Sequence, residues 1–529
     1  MPPTLTYPGV YIQEIPSGSR TITGVATAVA AFVGKASRGP VDVPVPITSY
    51  GDFERRFGGL DRHSGLGYAV RDYYLNGGSQ AVIVRLGGDA ATATIDVDGD
   101  VELLAIGPGT WGNDLEVEVA HATEPDASLV AAQQGVTATE LFHLTIREGS
   151  ATQPRFTESY PNVTLSDGPR RIDTVLRGSQ LVSVADSFTP PTSGRPSERH
   201  SSQDPAAFYA AGAAAGGTDG TDTVTLALDD YVGGATDTFQ ADKRGLYALL
   251  DADLFTILCL PPSSPDGDLP DALWATALSL CVDERAMLVV DPPSGETMST
   301  IRTWVEARGL TANGRNGAVY FPRIRRADPL RDGALGTFVP SGAVAGIMAR
   351  TDGARGVWKA PAGLEAGIVG ANGLAVALTD GENGQLNPHG INCLRTFRGV
   401  GSVVWGSRTL RGGDLLADEY KYVPVRRLAL FLEETLFRNT QWVVFEPNDE
   451  PLWAQIRASI GAFMQDLFRQ GAFQGSTPRD AYFVRCDAET TTQYDIDRGI
   501  VNIVVGFAPL KPAEFVVVSI QQKTATAQG

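Results

Sequence analysis

Three short apolar runs, "LFTILCLP" (254–261), "AMLVVDPP" (286–293) and "GAVYFPRI" (317–324), recur along the middle of the chain, with helical stretches at 270–283 and 297–308 between them. None alternates apolar with polar residues, as a strand with one wet face would. Strands apolar on both faces need cover on both sides, and helices in the connections supply it. This rhythm predicts βαβ units around a parallel sheet from about residue 240.

The beginning of the chain repeats the pattern. "TGVATAVAAFVGKASRGP" (23–40) gives a buried strand and a Gly/Pro turn, "SYGDFERRFGG" (49–59) and "LGYAVRDYYLNGG" (66–78) give two short helices, and "QAVIVRL" (80–86) gives a second buried strand. Between these regions the period changes to two. "ATIDVDG", "VELLAIG", "DLEVEVA" and "LFHLTIRE" alternate between turn residues and predict a small all-β unit, and the Pro/Ser/Gly-rich stretch 188–222 predicts an exposed loop. Late helices are expected at about 424–438 and 450–470, with "QWVVFEP" as a strand between them and "GIVNIVVGFAP" and "EFVVVSIQQ" as two strands near the end.

At 529 residues the chain is too long for one core. Its net charge of −18 is unevenly placed: residues 89–300 hold 10 Lys+Arg against 33 Asp+Glu, and the remainder holds 33 against 28. A continuous acidic section suits a solvated outer surface, and no basic stripe with interleaved aromatics suggests nucleic-acid binding. The longest apolar run, Val25 to Val33, is half the length of a membrane span. With no basic and apolar leader at the start, the expected location is the cytoplasm of the producing cell, with no direct membrane insertion. Cys259, Cys281, Cys393 and Cys486 stand far apart and the five histidines complete no ligand spacing, so the expectation is buried thiols and no metal.

Candidate chemistry is sparse, and no catalytic, cofactor-binding or metal-binding residue is assigned. Gly107-Pro108-Gly109-Thr110-Trp111-Gly112 is a literal GxGxxG, but an alternating strand pattern follows where a phosphate loop needs a helix. Asp96-Val97-Asp98-Gly99-Asp100 lacks the later glycine and glutamate of a calcium loop. "GGSQA" (77–81) approaches a nucleophile elbow without an assignable His and Asp. "LVVDPPSGET" (288–297), a strand end before a helix, carries the enzyme alternative, with Ser294 to Thr297 facing an anion; a surface scaffold or adhesin using the β unit is the other alternative.

The two ends carry a different signal. Val10-Tyr11-Ile12-Gln13-Glu14-Ile15 reads as a strand closed by Pro16-Ser17-Gly18, with no second strand at hairpin distance. Phe515-Val516-Val517-Val518-Ser519-Ile520 reads as another strand, beyond a stiff Pro509-Leu510-Lys511-Pro512 joint. Lone apolar strands pair within their own chain or with another, and donation to neighbours at both ends gives a contact that need not close. The helix 451–470 buries Leu452, Trp453, Ile456, Ile460, Phe463 and Leu467 on one face. Its other face, Gln455, Ala458, Ala462, Gln465 and Arg469, is small and mostly neutral, and suits either close approach by another surface or a place inside its own domain.

The chain resembles contractile tail sheath proteins of myophages and contractile injection systems. The resemblance rests on "PGVYIQE" (8–14), "AFVGKASRGP" (31–40), "GTWGNDL" (109–115), "VPSGAVAGIMARTDGARGVWKAPAG" (339–363), "VVWGSRTL" (403–410), "AYFVRCD" (481–487) and "IVNIVVGFAPLKPAEF" (500–515). It is specific over 1–88 and 317–523, looser over 240–316, and rests mainly on "GTWGNDL" between 89 and 239. It implies a non-enzymatic subunit, without cofactor, of hexameric rings stacked into a helical sleeve around an inner tube, with baseplate and cap proteins as further partners. The implied fold is an α/β and α+β multidomain chain. Residues 21–88 with 357–510 form an inner tube-facing α/β domain, 89–239 an outer acidic β insertion, and 240–356 a βαβ-type middle domain. Residues 1–20 and 511–529 are the arms whose strands (Val10, Tyr11, Ile12, Ile15; Phe515, Val516, Val517, Val518, Ile520) are exchanged between subunits. Pro16, Ser17, Gly18, Pro509 and Pro512 are the hinges, and Gln455, Ala458, Ala462, Gln465 and Arg469 lie on the tube-facing helix.

Overall fold

The computed structural model describes residues 20–87, 90–122, 126–149, 153–190, 194–199, 208–211, 215–219, 226–234, 238–310 and 313–520. They form a mixed α/β chain in two bodies, one of residues 28–350 and 361–421, the other of residues 20–27, 351–360 and 422 onward.

The first body is built on an eight-stranded sheet. Its strands are β1 (Val29–Lys35), β2 (Val45–Ile47), β3 (Gln80–Leu86), β4 (Ile257–Cys259), β5 (Met287–Val290), β6 (Gly317–Phe321), β7 (Ile391–Phe397) and β8 (Gly401–Val404). The spatial order is β8-β7-β6-β5-β4-β1-β3-β2, parallel except for the two edge strands β2 and β8. Helix α1 (Tyr50–Phe57) starts at Ser49, whose side chain accepts from the Asp52 N–H, and stops at Gly58 in the left-handed conformation. Helix α2 (Leu66–Leu75) follows, and α3 (Leu273–Asp283) and α4 (Ile301–Ala307) fill the later connections. Ala31, Val33, Val84, Leu258, Leu288 and Val319 are buried in one core with Trp274 and Leu278 of α3.

This sheet differs from the expected partition. Ala30 pairs with Ile257 and Phe32 with Cys259, so the strands of residues 28–88 share a sheet with the βαβ region, while residues 20–27 lie in the body of residues 422 onward. Runs apolar on both faces mark a strand as central without marking which sheet it enters.

Residues 93–210 contain two antiparallel sheets. One orders Tyr209–Ala210, Leu115–His121, Phe142–Glu148 and Phe156–Val163; the other orders Thr94–Val97, Val101–Ala105 and Val182–Val184. They share a core of Ile95, Leu103, Val117, Val119, Leu144 and Ile146. The Asp96–Asp100 acidic stretch is their first hairpin, with Asp98 at φ 62 and Gly99 at φ 75, as a type I′ turn requires. Within the expected loop 188–222, Tyr209 is buried and pairs with Val117, so a short edge strand interrupts it.

The second body packs helices α6 (Val423–Asn439) and α7 (Glu450–Arg469) with a two-stranded ribbon, β9 (Tyr482–Arg485) and β10 (Val504–Phe507); α5 is Ser341–Arg355, earlier in the chain. One strand expectation fails here: "QWVVFEP" forms a 3-10 turn at Gln441–Val443 followed by Phe445 at φ 69. Residues 511–520 pair with no strand among the described residues of this chain. β-branched content favours a strand only where a ladder partner exists, and neither segment has one among the described residues.

Candidate functional site

The features that sequence reasoning placed at an assembly surface lie in the second body or outside the described residues. Val10, Tyr11, Ile12, Ile15, Pro16, Ser17 and Gly18 are outside them.

Helix α7 begins at Asp449, whose carboxylate accepts from the Glu450 N–H, and Pro451 lies in its first turn, where a missing N–H does no harm. Leu452, Trp453, Ile456, Ile460, Phe463, Met464 and Leu467 are buried against Leu428, Leu432, Phe473 and Cys486. Ala454, Ala458, Ala462 and Arg469 are exposed. Gln455 and Gln465 are half-buried, and the Tyr482 hydroxyl donates to Gln465 Oε1 at 2.9 Å. Ala454 and Gly461, which sequence reasoning set at the edge of this face, are exposed and half-buried respectively, so the exposed alanines 454, 458 and 462 follow one another at i, i+4 and i+8. Arg469 lies 3.6 Å from Asp466, one turn back.

The ribbon of β9 and β10 has no third strand among the described residues. Below it, Gln474 N–H donates to the Ala508 carbonyl and Phe473 bridges Pro509, which ties the start of the Pro509–Pro512 joint to this body. Glu514 accepts from the Tyr422 hydroxyl at 3.2 Å. Beyond that point Phe515, Val516, Val517, Val518 and Ile520 are 76–92% exposed. Extended apolar chain left in solvent is unusual unless it is an interaction segment.

The chemical candidates are absorbed by the fold. After β5, Asp291 is buried and its Oδ1 accepts from the Ser341 N–H at 3.0 Å, capping α5, while Ser294 donates to Asp268. Gly109 of the GxGxxG run leads into a 3-10 turn and then strand Leu115–His121. In the near-elbow, a Cβ on Gly78 would meet the Tyr73 ring at 2.3 Å, so that glycine serves packing. A cleft of about 840 Å³ opens at the carboxyl ends of β1 and β3. Its buried charges answer one another: Arg38 pairs with Glu148, and Arg85 donates to the carbonyls of Ala36, Gly39 and Pro108. All four cysteines are buried; burial pushes the Cys393 thiol up to about 12 and the Cys486 thiol up to about 11. Among the described residues no cluster of His, Cys, Asp and Glu could hold a metal ion, and no helix is long and apolar enough to cross a membrane.

Residues 255–410 match the family model of the phage tail sheath protein central domain, and residues 417–523 match that of the phage tail sheath C-terminal domain. The tail sheath protein of Vibrio phage KVP40 is 30% identical over 175 residues, 33% of this chain and 24% of the relative. That of Enterobacteria phage T4 is 27% identical over 260 residues, 48% of this chain and 37% of the relative. The matched part thus spans 24% and 37% of the length of these curated relatives. Solved structures share the fold over nearly the whole chain. The anti-feeding prophage helical sheath in its contracted state covers 98% of this chain and 100% of its own, with a TM-score of 0.56 at 23% identity. The PVC sheath complex of an extracellular contractile injection system, also contracted, covers 98% and 99% with the same TM-score and identity. The sheath tail protein Lin1278 from Listeria innocua covers 92% and 96%, with a TM-score of 0.58 at 16% identity. The central and C-terminal domains of the phage tail sheath protein are thus matched in order along one chain, within a fold shared with solved sheath structures.

Proposed function

We propose that this chain is a structural subunit that polymerises into a helical contractile sleeve of hexameric rings around an inner tube, and drives that tube through a target envelope as the sleeve passes from an extended to a contracted state. The observation that carries this reading is the pairing of an open two-stranded ribbon with an exposed apolar segment, Phe515 to Ile520, in the same body. The ribbon packs on the core of α7 through Tyr482, Val484, Val505 and Phe507, but its edges have no further strand among the described residues, and an open edge can be completed by a strand from another chain. The contracted-state sheaths of similar fold support the same reading.

In this proposal residues 10–15 and 515–520 are donated to neighbouring subunits, and the segments at Pro16–Gly18 and from Pro509 to Pro512 act as hinges while the lattice survives rotation of the bodies. Ala458 and Ala462 let the tube approach closely, and the acidic section 89–300 faces outward. The extended sleeve is metastable, so a small release per subunit, summed over a helical array, does the work without cofactor or nucleotide. Baseplate and cap proteins bound the sleeve, and assembly takes place in the cytoplasm of the producing bacterium. Electron microscopy of the purified chain tests the proposal: helical tubes are expected. A protein that stays monomeric at all concentrations, with saturable turnover or ligand-induced stabilisation, would point instead to an enzyme on the α/β sheet.

A further inference from the structure

After β10 the chain runs along the second body and is held at a few points. Ala508 N–H donates to the Ala481 carbonyl at 2.8 Å, and the Ala508 carbonyl accepts from Gln474 at 2.9 Å. Pro509 bridges Phe473, and Pro512 follows with its φ set by its ring. From there exposure alternates: Lys511 and Ala513 are exposed, Pro512 and Glu514 half-buried. Successive side chains of an extended segment point to opposite sides, so 512 and 514 are the residues turned toward the body. The alternation stops at Glu514, and every residue from Phe515 to Ile520 is exposed.

The chain leaves the body at a specific contact. The Tyr422 hydroxyl donates to Glu514 Oε2 at 3.2 Å, and Tyr422 is the N-cap of α6, followed by the buried Val423 and Val425. The donor therefore stands on the fixed start of a long helix, and a carboxylate acceptor strengthens the bond. Its position decides where the apolar run begins. With Glu514 released, the nearest backbone tie is the bridge at Pro509, six residues before Phe515. Six residues of extended chain span roughly 20 Å, so the run would start from a wide volume instead of one place.

We propose that the Tyr422–Glu514 bond is a latch that fixes the departure point of the Phe515–Ile520 segment and so aims it, in the free subunit, at a second copy of this chain. The proposal rests on the reading of that segment as an inter-subunit contact and adds what positions it. Tyr422 and Glu514 are positioning residues outside the apolar run itself. Ordering already done by the latch in the free subunit need not be repeated on assembly, which favours association without any new contact to the partner.

The native cysteines are buried, so Ser476→Cys with Val516→Cys gives two exposed labelling positions in this body. Pulsed electron spin resonance between nitroxides there, on the full chain diluted until it sediments as a monomer, should give a narrow distance distribution. Tyr422→Phe and Glu514→Ala should broaden it with little change in melting temperature. Glu514→Gln, which keeps an acceptor oxygen, should leave it narrow. In the unlabelled chain Tyr422→Phe should raise the concentration at which tubes form roughly fivefold, the factor for one hydrogen bond of ordinary net strength. Val516→Asp with Val518→Asp tests the underlying contact and should give no tubes; normal tubes from that variant would refute the inter-subunit contact itself. With the double variant dispersed, a distribution as narrow in Tyr422→Phe as in wild type, or an unmoved assembly threshold, would overturn the latch alone.

Discussion

The Arg427 guanidinium grips both carboxylate oxygens of Asp352, at 2.8 and 2.7 Å, and donates to the Thr27 carbonyl at 2.9 Å. Both side chains are buried, so one cation ties together three separate stretches of the second body: residues 20–27, segment 351–360 and helix α6. Breaking a buried pair from one side leaves a charge without compensation, which costs about 3–5 kcal/mol. Arg427→Met should therefore lower the urea midpoint steeply, and Arg427→Met with Asp352→Leu should recover most of the loss. If the single and double variants unfold alike, the pair is not what fastens these stretches.

Burial pushes the Asp291 carboxyl up to about 7, against the lowering influence of its hydrogen bond from Ser341 and the nearby Arg323 cation. Its folded value lies above the unfolded 3.8, so the native state holds this proton more tightly than the unfolded chain does. The contribution is complete below pH about 4, is lost progressively as pH rises to 7, and stays lost above it. The span is worth up to about 4 kcal/mol. Asp291→Asn keeps an acceptor for the Ser341 N–H and removes the titration. The variant should match wild type near pH 4 and melt higher at pH 8, as scanning calorimetry across that range would read.

Ala458 and Ala462 lie one turn apart on the open face of α7. Ala458→Glu with Ala462→Glu places two carboxylates where the proposal needs close approach by the tube, without touching the buried face. Melting temperature should change little. Co-assembly with the tube protein should fail to give extended sleeves, while tube-free contracted polymers still form; normal extended particles by electron microscopy would remove this face from the tube contact.

Much of the architecture was legible where burial alone decides the outcome. "QAVIVRL" became a strand with those same bounds, because six of its seven residues are buried and nothing interrupts the run. Ser49 and Gly58 delimited α1 through capping chemistry that is local in sequence. What was not legible depends on distant partners. The pairing of Ala30 with Ile257 leaves no trace in either strand, so the sequence did not show that the two share a sheet. "QWVVFEP" has strand composition without a ladder among the described residues, and Tyr209 is buried inside a stretch whose Pro, Ser and Gly content reads as loop. On α7, apolar spacing identified the buried face, but the Tyr482 hydroxyl that claims Gln465 comes from a strand further along the chain.

The central claim is that this subunit polymerises through the segment Phe515 to Ile520, which pairs with no strand among the described residues. Removal of residues 515–529 tests it most directly, since Phe515 to Ile520 lie in solvent and Glu514, with its bond from Tyr422, is retained. The truncated chain should melt at the wild-type temperature and remain dispersed under the electron microscope, in conditions where the full chain forms helical tubes. Tubes of normal length and order from the truncated chain would contradict the claim.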